Sequence, residues 1–250
     1  MIKGLELFRL RFADYADNYV LIGGAACDVL LEHAALPFRA TRDLDIVLCV
    51  EALTPEFGRA FWNFVRDGGY EIQEKSSGER KLYRFRKPAT PEFPEMLELF
   101  SRRPDAFTPH AESQLTPISI DDEVSSLSAI LLDDDYYQLI QAHKRPMDGL
   151  SLLSAESLIV LKAKAYLDLS ARKERGEAVD AKNIRKHKND ICRLFAALTA
   201  QSRVALTPGI HSEVALFIER LADEPVDLRA LGLPFTMPEV IVGLRRTFTL

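Results

Sequence analysis

Two aspartates one residue apart, Asp43 and Asp45, are the side chains in this sequence best spaced to do chemistry. They sit at the start of a β-rich run, residues 44–50. In a strand, positions i and i+2 face the same way. Asp43 and Asp45 therefore share one face, while Leu44 and Ile46 enter a core on the other. Two carboxylates side by side repel each other unless a cation relieves them, and hard oxygen donors suit magnesium. Taken alone, the pair reads equally well as a solvent-facing strand end partnered by Arg39 and Arg42.

Two further signals give the pair a context. Upstream, the apolar run Tyr19-Val20-Leu21-Ile22 stops at Gly23-Gly24, and a helical stretch follows over residues 25–33. A helix N-terminus offers unpaired N–H groups and a positive dipole end, and glycine lets a phosphate approach the backbone closely. Downstream, Glu98 stands at the centre of Met96-Leu97-Glu98-Leu99-Phe100, which is otherwise apolar. A carboxylate buried in a strand costs several kcal/mol unless it is paired or bound to metal. A phosphate turn, two same-facing aspartates and a third carboxylate make a set suited to two-metal nucleotidyl transfer. In such a site, ions about 4 Å apart clamp the attacking and leaving oxygens. In that arrangement Gly23 and Gly24 hold phosphate, Asp43 and Asp45 hold metal, and Glu98 completes the cage or takes a proton.

The elements that must position these residues are legible in outline. Residues 3–17 carry Leu5, Phe8, Leu10, Phe12 and Tyr15 at mostly helical spacing. Strands are expected at 19–22, 44–50, 70–74, 81–86 and 96–100, with strand-like stretches near 115–120 and 127–132. A helix over 54–67 ends at Gly68-Gly69. Ser76-Ser77-Gly78 reads as a polar loop, and Asp133-Asp134-Asp135 as a solvated turn. From Ser154 onward the pattern is helical throughout, over 154–171, 182–200, 212–223 and 238–246. The change falls near residues 145–153, around Pro146 and Gly149. The expectation is an α+β fold: a mixed sheet with flanking helices over residues 1–150, then an all-α domain over 151–250.

The bulk numbers narrow the class. A chain of 250 residues with 47% hydrophobic and 28% charged residues is of ordinary globular composition. A net charge of -5 gives no global attraction to nucleic acid, so any polyanion contact must be local. Cys27, Cys49 and Cys192 show no CxxC spacing, which fits a reducing cytoplasm. No apolar run approaches the roughly 20 residues that span a bilayer. The N-terminal residues lack a signal peptide's apolar centre. A cytoplasmic protein without a membrane partner is expected. The histidines have no metal-ligand spacing. Charge does concentrate in one place: residues 162–193 hold ten Lys and Arg against five acids. There Lys182, Arg185, Lys186, His187 and Lys188 read either as a solvated helix face or as a lip for a polyanion such as RNA.

The stretch LIGGAACDVLLEHAALPFRATRDLDIVL resembles the signature of polymerase-β-like nucleotidyltransferases: Gly-Gly, a helix, then Asp-x-Asp among apolar residues. Within that superfamily the chain resembles the AbiEii/AbiGii group, toxins of bacterial abortive-infection and toxin–antitoxin systems. The resemblance implies a nucleotidyltransferase fold and magnesium. It implies transfer of NMP from an NTP to an acceptor hydroxyl, with RNA such as tRNA as a target and a separate antitoxin protein as partner. It also implies two further site residues. Lys162, in Lys162-Ala163-Lys164-Ala165, would bind phosphate, and Asp190, in Lys188-Asn189-Asp190-Ile191-Cys192-Arg193-Leu194, would orient that lysine or contact substrate. Arg193 stands where the group repeats an acid. Two alternatives remain open at this point: an adenylyltransferase acting on a small molecule such as an antibiotic, and a non-catalytic binding module of the same fold.

Overall fold

Fourteen phenylalanines and a single tryptophan are spread along the chain, and many gather in one place in the computed structural model. The structure describes residues 2–74, 80–102, 115–118 and 127–250. The expected loop at Ser76-Ser77-Gly78 lies outside the described residues. The chain divides into two units: residues 1–28 with 39–153, and residues 29–38 with 154–250.

The first unit is built on a mixed sheet. Its strands are β1 (Tyr19–Ile22), β2 (Asp43–Leu48), β3 (Glu71–Glu74), β4 (Arg80–Arg86), β5 (Met96–Ser101), β6 (Leu115–Ile118), β7 (Leu127–Leu131), β8 (Lys144–Met147) and β9 (Leu150–Leu153). The main order is β3-β4-β5-β2-β1-β9-β8, with β7 pairing β5 and β6. β2 runs parallel to β5 and antiparallel to β1, and β9 joins β1 in parallel. The helices of this unit are α1 (Leu5–Phe12), the first turns of α2 (Gly23–His33), α3 (Pro55–Gly68) and α4 (Asp134–His143).

Alternation along the strands gives the sheet two unlike faces. Leu44, Ile46 and Leu48 of β2, Leu97 and Leu99 of β5, Phe85 of β4, and Tyr19 and Leu21 of β1 are all buried. The register places them on one face. Aromatic rings from α1 and α3 cover that face. Phe8 meets Tyr19 edge-on at 5.3 Å, Phe12 meets Phe64 at 5.4 Å, and Phe61 meets Phe85 at 5.8 Å. Each such ring contributes on the order of 2–3 kcal/mol through burial, so this cluster fixes which face of the sheet turns inward. α3 has well-made ends. Thr54 caps its first turn by accepting from the Phe57 N–H, Pro55 starts the helix, and Gly69 closes it at φ 61°.

Two elements differ from the sequence reading. Asp133 does not sit in a solvated turn: its side chain accepts from the Asp135 N–H and caps α4. Tyr137 of α4 then accepts from the Val50 N–H at 3.0 Å and donates to Glu51 at 2.6 Å, fastening the chain just after β2. The stretch around Pro146 and Gly149 forms the β8–β9 hairpin, which the sequence reading did not assign. Asp148 and Gly149 turn it with φ of 49° and 75°. The change of unit falls at residues 153 and 154.

The second unit holds α5 (Ala155–Glu174), α6 (Ala181–Phe195), α7 (Pro208–Asp223) and α8 (Met237–Phe248), together with residues 29–38. Its core combines aliphatic side chains with Phe217 and Phe248: Ile159 and Ala163 of α5, Ile191 and Leu194 of α6, Val214 and Ile218 of α7, and Val240 and Leu244 of α8 are buried with these rings. Ser154, Asp180 and the Thr236/Glu239 capping box start α5, α6 and α8. α6 and α8 approach closely at Gly243, where a Cβ would lie 2.3 Å from the Phe195 ring. Among the described residues no helix is long and apolar enough to cross a membrane. The three cysteines are buried free thiols.

Candidate functional site

The sheet face opposite the aromatic cluster carries the charged residues. Asp43 and Asp45 lie at i and i+2 of β2, both half-buried, with Leu44 fully buried between them. The parallel pairing of β2 with β5 sets Asp45 directly beside Glu98, and Asp43 beside Met96. β4 then sets Arg84 beside Glu98 and Arg86 beside Met96. One row across three strands thus reads Arg84, Glu98, Asp45, and the next reads Arg86, Met96, Asp43. All three carboxylates expected from the sequence share this face.

Glu98 is buried, 9% exposed, and Arg84 offsets its charge. The Arg84 guanidinium donates to Glu98 Oε1. Glu98 Oε2 has no partner among the described residues. This arginine is the site residue that sequence reasoning missed. The available signal was weak: Arg84 and Arg86 alternate with Phe85 in β4, so two cations share a face, but nothing local reveals which strand lies beside them.

The glycine pair is placed against the carboxylates. α2 begins at Gly23 itself, two residues earlier than expected, so both glycines belong to the helix's first turn. Gly23 has φ 66°, and a Cβ built there would lie 1.8 Å from Asp45 Oδ2. A Cβ on Gly24 would lie 2.5 Å from the Thr41 hydroxyl. The small residues are therefore required by close approach, and the space a side chain would take at position 23 is filled by the Asp45 carboxylate. Asp43 lies at the edge of this cluster, on a concavity of about 520 Å3 lined also by Lys3, Arg86, Lys87 and Glu95. Cations outnumber acids along that lining.

Lys162 and Asp190 come together within the second unit. Both are buried, and the lysine ammonium donates to Asp190 Oδ2 at 2.9 Å. Asp190 is fully buried, and Arg193 approaches its other oxygen at 3.6 Å. The acid thus lies between two cations. Lys164, two residues on, faces elsewhere. It bonds Glu213 of α7 at 2.6 Å and Asp168 at 3.3 Å. Burial lowers its pKa, but these partners outweigh that and raise it.

The oxygen donors of the carboxylate face are of the type a hard divalent cation takes. Asp43 and Asp45 share the face, and Glu98 Oε2 is left over after Arg84 is served. As they stand, no three acidic, histidine or cysteine side chains among the described residues converge on one point. Comparison with protein-family models and with curated proteins finds no match.

Proposed function

We propose that this protein is a magnesium-dependent nucleotidyltransferase that moves NMP from an NTP to an acceptor hydroxyl. One observation carries the reading. Asp43 and Asp45 stand on one sheet face with Glu98 in register beside Asp45, and the N-terminus of α2 begins at Gly23 against that same carboxylate. Carboxylates next to a helix N-terminus combine a place for cations with a place for phosphate.

In the reaction, the acceptor oxygen attacks the α-phosphorus, the bond to the bridging oxygen of the β-phosphate breaks, and pyrophosphate leaves. A bound magnesium ion would supply charge neutralisation for the phosphates and the leaving oxygen. Asp43 and Asp45 would hold it. Gly23 and Gly24 stand in the first turn of α2, whose N–H groups would serve phosphate oxygens beside the metal-bound Asp45. Glu98 would complete the cage or accept the proton of the acceptor hydroxyl through Oε2, while Arg84 fixes the carboxylate by Oε1. Lys3, Arg86 and Lys87 line the adjoining concavity, and their charge favours an anionic acceptor over a cationic small molecule. With the resemblance to AbiEii-type toxins, the reading becomes a toxin that modifies RNA such as tRNA and is restrained by a separate antitoxin. The Lys162–Asp190 pair enters this reading through that resemblance alone.

The test is incubation of the protein with each α-labelled NTP, magnesium and total RNA. Label in the RNA supports the reading. Label confined to protein or to an added aminoglycoside moves it to another acceptor, and no transfer with any NTP overturns it. Asp45→Asn should abolish transfer while the circular dichroism spectrum stays unchanged. Retained transfer would remove the carboxylate face from the chemistry.

A further inference from the structure

Away from the carboxylate face, the second unit holds a pocket of about 560 Å3 among α5, α6 and α7. That is the size of a small-ligand cleft, and its lining is strongly charged. Lys173, Arg185, Lys188 and Arg220 face Glu174 and Glu224. Two of the cations are committed to the walls. Arg220 pairs with Glu174 at 3.0 Å. Lys188 donates to the Glu224 carbonyl at 2.9 Å and lies 3.2 Å from its carboxylate. The buried Lys188 ammonium also sits 5.9 Å from the centre of the Tyr166 ring, which lines the pocket. Each carboxylate is thereby paired with one cation.

Lys173, in the last turn of α5, and Arg185, in the second turn of α6, are left over. Both are exposed, and neither side chain has a partner among the described residues. Two positive charges thus face one cavity without compensation. The charge also continues beyond it: Lys182 is exposed on α6 three residues before Arg185, along the same stripe. A single small anion would use the pocket and leave that stripe idle. A linear polyanion uses both, with one phosphodiester in the pocket and its neighbours along α6.

We propose that the α5–α6–α7 pocket is a seat for the backbone of single-stranded nucleic acid, with Lys173 and Arg185 as its phosphate contacts. Tyr166 is too deeply buried to stack on a base, so the site grips charge and not sequence. This rests on the nucleotidyl-transfer reading in one respect, the identity of the strand as the RNA acceptor.

The experiment measures binding of the full chain to a fluorescein-labelled 12-nucleotide RNA by anisotropy, without NTP or magnesium, from 50 to 200 mM NaCl. Each phosphate contact on a single strand adds about 0.7 to the slope of log affinity against log salt. The double variant Lys173→Ala/Arg185→Ala should therefore lose about 1.4 from that slope. Over this fourfold salt range its affinity should fall about sevenfold less than that of the unmodified protein. Arg229→Ala/Arg246→Ala removes the same charge from exposed positions elsewhere and should leave the slope unchanged. An unchanged slope in the first variant, or an equal change in both, overturns the site. Displacement of the RNA by equimolar inorganic phosphate overturns it in favour of a small-anion pocket. Transfer that depends on Asp45 but not on Lys173 and Arg185 removes this site and spares the reaction. RNA binding through these two residues with no transfer to any acceptor does the reverse.

Discussion

Replacing Gly23 by alanine tests the closest contact in the candidate site. The new Cβ would lie 1.8 Å from Asp45 Oδ2 and 2.8 Å from its Cγ. Carbon and oxygen settle at about 3.3 Å or more, so the carboxylate must withdraw by about 1.5 Å. Holding alanine at φ 66° costs about 1–2 kcal/mol. Pushing Asp45 off its rotamer adds about 0.5–1.5 kcal/mol. The two costs separate in a four-variant cycle. In an Asp45→Ala background the second disappears, so the coupling between positions 23 and 45 should be about 0.5–1.5 kcal/mol. Urea unfolding followed by fluorescence of Trp62 reads this out. Trp62 is the only tryptophan and packs edge-on against Phe85 at 5.9 Å, so it reports on the unit that carries the site. Equal destabilisation in both backgrounds would refute the contact with Asp45. No destabilisation in either would refute the left-handed backbone at Gly23. Gly23→Ala protein that remains folded should also lose transfer, because the displaced carboxylate is the one in register with Glu98.

Two further outcomes are expected. Asp190→Asn removes the carboxylate that the buried Lys162 ammonium bonds at 2.9 Å and should cost about 3–5 kcal/mol. Lys162→Met leaves Asp190 with Arg193 at 3.6 Å and should cost less; thermal melts by circular dichroism giving the opposite order would refute the pairing. Burial raises the Cys192 thiol from 9.0 to about 12, although Lys188 and Arg193 pull it back, and raises the Tyr19 hydroxyl from 10.0 to about 12. Both groups stay protonated in the folded chain after they would ionise in the unfolded one. Their contribution to stability is therefore whole below about pH 9 and is lost as pH rises toward 12. The urea midpoint should be lower at pH 10.5 than at pH 8, and a higher one would contradict this assignment.

What could be read from the sequence was what depends on neighbours along the chain. Asp43 and Asp45 share a face because strands alternate, and Leu44 between them is buried for the same reason. Gly69 ends α3 with a positive φ, as its place after a helical run implies. Glu98 stood out because it interrupts an apolar strand. What escaped depends on partners distant in sequence. Arg84 matters because β4 lies antiparallel to β5 in one register, and no local pattern sets that register. α4 escaped because its capping aspartate sits in a run of three acids that looks like a surface turn, while its anchor Tyr137 finds Val50 and Glu51 far upstream. The β8–β9 hairpin was legible and overlooked. Asp148-Gly149 is a strong two-residue hairpin signal, and Pro146 is tolerated because β8 ends the strand order.

The chain passes from one unit to the other three times, after Asp28, after Phe38 and after Leu153. The first of these passages falls inside α2, five residues beyond Gly23. Neither unit is consequently a contiguous cassette. A gene cut at residue 153 carries residues 29–38 away with the wrong half, and a cut on either side of that stretch divides the sheet's own sequence. Shuffling, fusion or loss of one half by a single recombination event would leave both halves incomplete. The two units are therefore expected to be inherited together, and domain swaps between related chains would need three matched junctions to succeed.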